Sequence, residues 1–473
     1  MGGGGDLVPH HAGRRAGRVA VIDTVVVGGG FAGLAAAVRL TQAGLRVLAV
    51  EARPRLGGRA TAFPDRVTGA LVDNGQHVMF GCYTETLDFL RTIGAAANVR
   101  LQPSLDVPFI DVRGRVTRLR CPDLPSPFHL AGGLIDWDAL RWRDRWAALR
   151  VWRAVTRHEA RGTRHEDEEG DGQTSVAEWL RSLRQTRRLR DFLWEPLAVA
   201  ALNEPPELAS ADAFARVLSL MFGNGPAHAA VAMPAVPLDE MYARPARAFI
   251  ESRGGTVRLN ALAKVVIDDG AVSGVRIGSE MVPCRSVVSS VPWNTFGSLF
   301  DSIPRALQDT AATAARITSR PIVTANLWFD RPVMEEPFVG LPGCTVQWAF
   351  EKGRDASHLS CTVSGAIELV DRTSEEILRI AEADIRSRLT RARRAALVRG
   401  TVVRERHATF ATAQRDVRRP ATVTAVPGFF LAGDWIDTGL PGTIEGAVRS
   451  GNAAAEAVIT KSPIHQITRS PDP

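Results

Sequence analysis

No segment of the chain restricts its fold as much as IDTVVVGGGFAGLAAAVRLTQAGLRVLAVE, Ile22 to Glu51. It reads as a β-branched strand, a glycine turn, a helix closed by Gly44, and a second short strand. In the turn, Gly28 permits a tight bend, Gly30 lets a diphosphate approach the backbone, and Gly33 allows close packing of the helix that follows. Amides at the start of that helix, on Phe31 and Ala32, offer N–H donors and the positive end of a dipole. Glu51 stands eighteen residues beyond Gly33, at the end of the second strand. With Ala52 and Arg53 beside it, its carboxylate can accept from both ribose hydroxyls and would repel a 2′-phosphate. The unit predicts an α/β chain on a parallel sheet, with an unphosphorylated adenosine dinucleotide at the strand ends.

Composition narrows what the remainder can be. A chain of 473 residues is too long for one core, and 45% hydrophobic with 23% charged residues is ordinary for a soluble globular protein. The net charge of +7 is carried almost wholly by Arg, because Lys occurs only at Lys264, Lys352 and Lys461. Those Arg residues are scattered and not interleaved with stacking aromatics, which excludes nucleic acid as a partner. A phosphate-bearing ligand or an anionic membrane surface fits the excess. Five cysteines (Cys82, Cys121, Cys284, Cys344 and Cys361) are widely and irregularly spaced with no CxxC, so no metal site is expected. They read as free thiols in a reducing compartment. No uninterrupted apolar run of about 18 residues occurs, and Arg14-Arg15 precedes no secretory apolar region. The expected location is cytoplasmic, with 1–19 a disordered leader and 461–473 a C-terminal tail.

A second glycine element, ARPRLGGRA (Ala52 to Ala60), follows the second strand. It is unusual in nicotinamide dehydrogenases and resembles the FAD-binding segment of the flavin amine oxidase and phytoene desaturase superfamily. On that resemblance Gly57 and Gly58 would bring backbone amides to the phosphates, and Arg59 would lie along the diphosphate or the flavin edge. Far downstream, GFFLAGDWIDTGLPGTIEGAVRSGNAAAEAV (Gly428 to Val458) reads as a strand ending at Gly433 and Asp434, a turn through Gly442, and a helix entered at Thr443 and Ile444. Asp434 can accept from ribityl or ribose hydroxyls, and the amides near Thr443 and Ile444 would face the flavin pyrimidine ring. Between the two ends, Pro237 to Ile277 reads as a helix, a Gly-Gly turn and a three-strand meander through TVRL, KVVI and VSGVRI. The superfamily has a backbone adenine contact there, near Ala263. The implied architecture is α/β: a Rossmann-like, GR2-type FAD-binding domain, discontinuous over 20–95, 236–295 and 426–460. An α+β substrate-binding lobe is inserted at 96–235 and 296–425.

The lobe carries GGLIDWDALRWRDRWAALRVWRAVTR (Gly132 to Arg157), with four Trp among six Arg. At helical spacing Ile135, Ala139, Trp142, Trp146, Leu149 and Trp152 share one face. That face either closes the lobe's core or lies in a membrane interface as a basic amphipathic helix does. The run Arg157 to Thr174, with His165, Glu166, Asp167 and Glu168, lacks apolar periodicity and reads as a solvated linker, not a metal site. VQWAFEKGRDASHLSCTVSGA (Val346 to Ala366) reads as a hairpin with Trp348 and Phe350 on one face.

One further stretch, LVDNGQHVMFGCY (Leu71 to Tyr83), clusters polar groups just after the Gly-Gly-Arg element. Together with FLWEPLAVAALNEPPELASA and VQWAFEKG it is similar to hydroxysqualene dehydroxylases, and the similarity spans most of residues 22–458. The resemblance implies reductive removal of the hydroxyl of hydroxysqualene, a C30 isoprenoid, with reduced FAD as hydride source, an electron donor yet to be identified, and a place in squalene and hopanoid synthesis. The basic Trp-bearing helix allows a peripheral place on the inner face of the cytoplasmic membrane as an alternative to free solution. The loop would return beneath the flavin, with Gly75, Gln76 and His77 touching it. His77 is the candidate proton donor or water-positioning group, and Gln76 or Asn74 would hold the flavin or the leaving oxygen. Asp73 would fix the loop, and Glu195 is a weaker acid candidate. A phytoene- or squalene-type desaturase running hydride the other way would have the same fold and cofactor contacts, so the FAD motifs do not choose the direction. An amine oxidase is a third reading, set against the scarcity of tyrosine: Tyr83 and Tyr242 alone, with Trp435 as a stand-in. A flavin-binding scaffold without turnover is the fourth.

Overall fold

The computed structural model describes residues 22–67, 69, 71–160, 174–352, 356–414 and 417–461. The strand Ile22–Val27 sits inside a five-stranded parallel array. Its order is Thr256–Arg258, Val47–Val50, Ile22–Val27, Glu280–Ser289, Phe429–Leu431. Residues from three distant stretches of chain therefore share one sheet. Alternation along the strands sends Val26, Val47, Ala49, Val288 and Phe430 to one face, against the helices Phe31–Gln42 and Ile444–Lys461. Val25, Val27, Leu48, Val287 and Phe429 face the other way, onto a second core with Trp293 and Phe296. A strand covered on both faces needs the continuous β-branched run that Thr24–Val27 provides.

The meander differs from the expectation in one strand. Thr256–Arg258 does not open it but joins the parallel sheet beside Val47–Val50. Its strands are Ala263–Asp268, Ala271–Ile277 and the first half of Glu280–Ser289. That last strand serves twice, pairing through Pro283 with the meander and from Cys284 with Ile22–Val27. The helix Arg244–Ser252 before Thr256 explains the difference, because a helix returning between parallel strands is the usual crossover. Apolar alternation says that a strand forms, not which neighbour it takes.

The inserted lobe holds a second seven-stranded sheet, in the order Leu397–Phe410, Ser319–Phe329, His358–Ser364, Trp348–Lys352, Phe338–Gly340, Asp106–Ile110, Val116–Arg120. The expected hairpin is present, pairing Trp348 with Thr362 and Lys352 with His358. One face of this sheet, with Val323, Ala325, Leu327 and Leu359, packs on the helix Ser374–Arg388.

The expected single helix at Gly132 to Arg157 is two, Phe128–Asp136 and Trp142–Ala160. Trp137 at the break is fully buried and donates its indole N–H to Thr117 Oγ1 at 2.9 Å. Arg145 pins the break by donating to the Leu134 and Trp137 carbonyls, and Asp144 accepts from the Arg141 amide. The buried stripe of the second helix is therefore Ala147, Ala148, Val151 and Val155, not the Trp face. Phe128, Ile135, Trp142 and Trp146 are exposed by 63%, 53%, 61% and 57%. The acidic run with His165, Glu166, Asp167 and Glu168 lies outside the described residues, as do 1–19 and 462–473. Among the described residues no helix is long and apolar enough to cross a membrane.

The lobe's two chain segments are locked together at Asn203 and Glu204, which end the helix Glu195–Leu202. Asn203 takes a left-handed φ of +54° and bonds Thr409 Oγ1 at 3.0 Å and the Gly365 amide at 2.6 Å. Glu204 has no exposed surface and accepts from Arg320 Nε at 2.6 Å and the Thr412 amide at 2.7 Å. Removing one member of such a pair leaves a buried charge uncompensated. Glu204→Ala is expected to cost roughly 3–5 kcal/mol in urea unfolding, and a loss under about 1 kcal/mol would show that water replaces the carboxylate there.

Candidate active site

Two glycine loops face each other at the C-terminal edge of the parallel sheet. Gly28 has φ +111° and donates its amide to the Val50 carbonyl at 2.8 Å. A Cβ on Gly33 would fall 2.0 Å from the Gly28 carbonyl oxygen, so only glycine lets the helix start so close to the turn. Gly30 and Gly58 lie opposite one another, and a Cβ on either would meet the other's Cα at 3.8 or 3.2 Å. No side chain caps the helix that begins at Phe31, which leaves its first amides directed at that gap. Bare backbone on both walls and uncapped helix amides suit a diphosphate. Phe31 itself stacks on Tyr242, with centroids 3.6 Å apart, and Ala32 is buried. These two residues therefore offer a ligand their backbones alone. Gly57 commits its amide to the Gly29 carbonyl at 2.8 Å, clamping the loops together, so it is not the phosphate donor expected of it.

Glu51 is buried at the sheet edge, accepting from the Gly29 amide at 2.8 Å and the Arg53 amide at 2.9 Å. Each carboxylate oxygen keeps a lone pair for a hydroxyl. Ala52 and Arg53 are exposed beside it. The Ala261 amide donates to the Glu51 carbonyl at 2.9 Å, and Ala263, two residues on, opens the meander strand opposite Ile277.

The two ends of the chain meet at Arg59 and Asp434. Their side chains are hydrogen-bonded, Arg59 also donates to the Ala408 carbonyl at 2.9 Å, and its guanidinium lies 5.2 Å from the Trp293 ring centroid. Burial pulls the Arg59 pKa down, but the Asp434 carboxylate outweighs it and the guanidinium is held more firmly protonated than usual. Gly433, with φ +127°, donates its amide to Ser450 Oγ at 2.7 Å. Gly442 lies beside the Asp434 carboxylate. Thr443 Oγ1 accepts from the Gly446 amide at 3.1 Å, capping the helix that Ile444 begins. In that first turn Glu445 is buried and accepts from the Thr86 amide at 3.0 Å and Thr86 Oγ1 at 2.8 Å.

Between these parts runs the Asp73–His77 loop. Asp73 accepts from Lys352 Nζ at 2.8 Å and from the Leu238 amide at 3.3 Å. Asn74 donates to the Arg59 carbonyl and accepts from the Thr61 amide at 3.2 Å, so its side chain fixes the Gly-Gly-Arg element and is not presented to a ligand. Gly75 is buried against the lobe's sheet, where its Cβ would lie 3.9 Å from Thr324 Oγ1. Gln76 Oε1 is buried without a partner among the described residues. His77 Nδ1 is 3.0 Å from the Gly75 carbonyl, which makes Nδ1 the protonated nitrogen of the neutral ring and Nε2 its lone pair. Burial lowers the His77 pKa, the Gly75 carbonyl and Asp73 opposing, so the ring is neutral at pH 7.

Glu195 is not tied to this loop. It lines a cleft with Asp191, Val199 and Gly340, its carboxyl raised by burial despite Arg190 at 3.5 Å. Trp435 is core, donating its indole N–H to the Val291 carbonyl at 3.0 Å. Tyr242 is core too, its hydroxyl donating to the Gly57 and Ala60 carbonyls at 2.8 and 3.1 Å. Neither aromatic is available to flank a substrate amine. The Cys82 thiol is pushed up to about 12 by burial. Lys352 and Tyr242 entered the sequence reading only as members of rare residue types, and Glu445 and Gly451 had no part in it. The rarity of Lys and Tyr was the one visible sign of the first two.

Comparison with known proteins identifies the family of the chain. The family model for flavin containing amine oxidoreductase matches residues 31–459. A hydroxysqualene dehydroxylase from Sinorhizobium fredii is 31% identical over 92% of this chain and 98% of its own. A 15-cis-phytoene desaturase from Synechococcus elongatus is 25% identical over 92% of this chain and 95% of its own. The solved structure of an oxidoreductase from Methanosarcina mazei superposes with a TM-score of 0.71 at 17% identity, covering 92% of this chain and all of that one. The chain belongs to the flavin-containing amine oxidoreductase family, as an FAD-dependent oxidoreductase grouped with the hydroxysqualene dehydroxylases.

Proposed function

We propose that the protein removes the hydroxyl of hydroxysqualene reductively and yields squalene. FAD, when bound in its reduced form, supplies the hydride equivalent for the carbon that loses oxygen. The C–O bond breaks, a C–H bond forms, and the oxygen leaves as water after taking a proton. Gly30 and Gly58 with the Phe31 and Ala32 amides hold the diphosphate, and Glu51 holds the ribose. Arg59, Asp434 and the amides of Thr443 and Ile444 hold the other half of the cofactor. The observation that carries the reading is the Asp73–His77 loop, which sets a neutral imidazole and an unpartnered amide oxygen between the Arg59–Asp434 junction and the lobe's sheet. With Nδ1 tied to Gly75, His77 Nε2 is the atom that takes up a proton in acid and gives it to the leaving oxygen or its water. The S. fredii relative, named for this reaction, supports the substrate class.

A C30 isoprenoid barely dissolves in water, so the protein takes it from a bilayer. The exposed face of Phe128, Ile135, Trp142 and Trp146, flanked by exposed Arg141, Arg143, Arg150 and Arg153, supports docking on an anionic lipid surface. Trp is suited to that boundary, with an apolar body and one N–H for the headgroups.

Three outcomes are expected. Anaerobically photoreduced enzyme given hydroxysqualene in detergent reoxidises its flavin and forms squalene, read by visible absorbance and mass spectrometry. A flavin that stays reduced, with oxidised enzyme bleached by squalene or phytoene, would make the protein a desaturase. Turnover through His77 rises as pH falls below the ordinary imidazole value of 6.5, because the folded-state pKa is lowered and the protonated ring is populated only in acid. His77→Gln flattens that rise while FAD stays bound, and an unchanged profile in the variant would remove His77 from proton transfer. Replacing both Trp142 and Trp146 with Ser lowers binding to phosphatidylglycerol vesicles at least about tenfold, with detergent activity intact. Undiminished sedimentation with vesicles would place docking elsewhere.

A further inference from the structure

The face of the lobe's sheet opposite the helix Ser374–Arg388 carries a band of buried polar side chains. Thr324 pairs in register with Thr362, and Thr362 with Trp348. One row along, Asn326 pairs with Ser360, and Ser360 with Phe350. Paired residues of antiparallel strands project to the same side, so these rows share one face. Thr324 Oγ1, Asn326 Nδ2, Thr362 Oγ1 and Trp348 Nε1 are all buried and have no hydrogen-bond partner among the described residues. Folded cores leave few such groups unpaired, and four on one face call for an explanation.

The band is held in place and aimed. Asn326 Oδ1 accepts from His358 Nε2 at 3.1 Å in the tautomer with that nitrogen protonated, which turns Nδ2 away from the histidine. His358 is stacked on Trp328, centroids 4.1 Å apart and planes 14° from parallel. Burial, with Lys352 close by, drives His358 down to about 4, so it stays neutral and keeps this role across the working pH range. Thr324 meets the buried Gly75, next to the unpartnered Gln76 Oε1. Lys352, opposite His358 in register, ties the same corner to Asp73. Away from that corner the face turns aromatic, where Trp348 and Phe350 pack with Phe109 and Phe338. Polar over the His77 loop and apolar beyond it, the face fits a ligand with one oxygen on a long hydrocarbon.

We infer that Thr324, Asn326 and Thr362 form the subsite that receives the substrate hydroxyl, Asn326 Nδ2 donating to its oxygen, with His358 as the positioning residue for Asn326. This rests on the dehydroxylase reading and adds to it a basis for telling substrate from product. An alcohol satisfies the donors, whereas squalene leaves them unpaired, and sites built to bond a hydroxyl reject analogues lacking one. The product is thereby the weaker ligand.

The test uses oxidised holoenzyme, which cannot turn over the alcohol, and titrates its flavin absorbance with hydroxysqualene and with squalene in one detergent. Wild type is expected to bind the alcohol at least about tenfold more tightly. Asn326→Leu brings the two dissociation constants to within about twofold of each other, with squalene affinity unchanged. His358→Phe keeps the stack on Trp328 but loses the bond to Asn326, and lowers the preference in the same selective way. A merely structural role would weaken both ligands together. Should Asn326→Leu fail to hold FAD, the near-isosteric Thr362→Val carries the test and also loses preference. Full alcohol preference in Asn326→Leu or, failing that, in Thr362→Val, or no preference in wild type, overturns the subsite. The dehydroxylase reading fails separately, if the alcohol does not reoxidise photoreduced enzyme.

Discussion

The structure depends on how closely two helices from opposite ends of the chain approach. Phe31–Gln42 and Ile444–Lys461 touch where a Cβ on Gly451 would lie 2.2 Å from the Ala32 carbonyl oxygen. Any side chain there would push the helices apart. Their contact brings the Gly28–Gly33 turn and the Gly433–Ile444 turn to the same edge of the parallel sheet, and Arg59 then reaches Asp434 across 375 positions of sequence. A cofactor spanning both turns would be gripped by residues from both ends of the chain at once. Glu445 extends the same joint by capping the helix Thr84–Thr92, which follows the His77 loop.

Local chemistry was legible in the sequence and long-range pairing was not. The Ile22–Glu51 unit was plain because its glycines and apolar periods answer to constraints within one short segment. The hairpin Trp348–Ser364 was legible for the same reason. The Trp face does not close the core, and Ala139 does not share it, because helical spacing assumes an unbroken helix. Trp137 and Arg145 break this one through contacts to Thr117, Leu134 and Trp137 that periodicity cannot register. Asn74 was placed in the right loop, but its amide closes on Arg59 and Thr61. The salt bridges Glu204–Arg320 and Lys352–Asp73 span 116 and 279 positions and leave no pattern in sequence at all.

What links these pairings is charge compensation around the loop. Asp434 faces Arg59, Asp73 faces Lys352, and Glu51 is met by two backbone amides. Each buried carboxylate has its partner, as low-dielectric surroundings demand. The polar groups left uncommitted near His77 are neutral: the Gln76 amide oxygen, two threonine hydroxyls and the Asn326 amide. That distinction matters for breaking an allylic C–O bond. Positive charge develops on carbon as oxygen leaves, and an uncompensated carboxylate beside it would hold the cation or capture it. In the proposed reaction, neutral donors would stabilise the departing oxygen without offering the carbon a nucleophile, and the aromatic wall of Trp348 and Phe350 would shield the hydrocarbon from water. Such an arrangement would leave hydride addition as the favoured fate of that carbon.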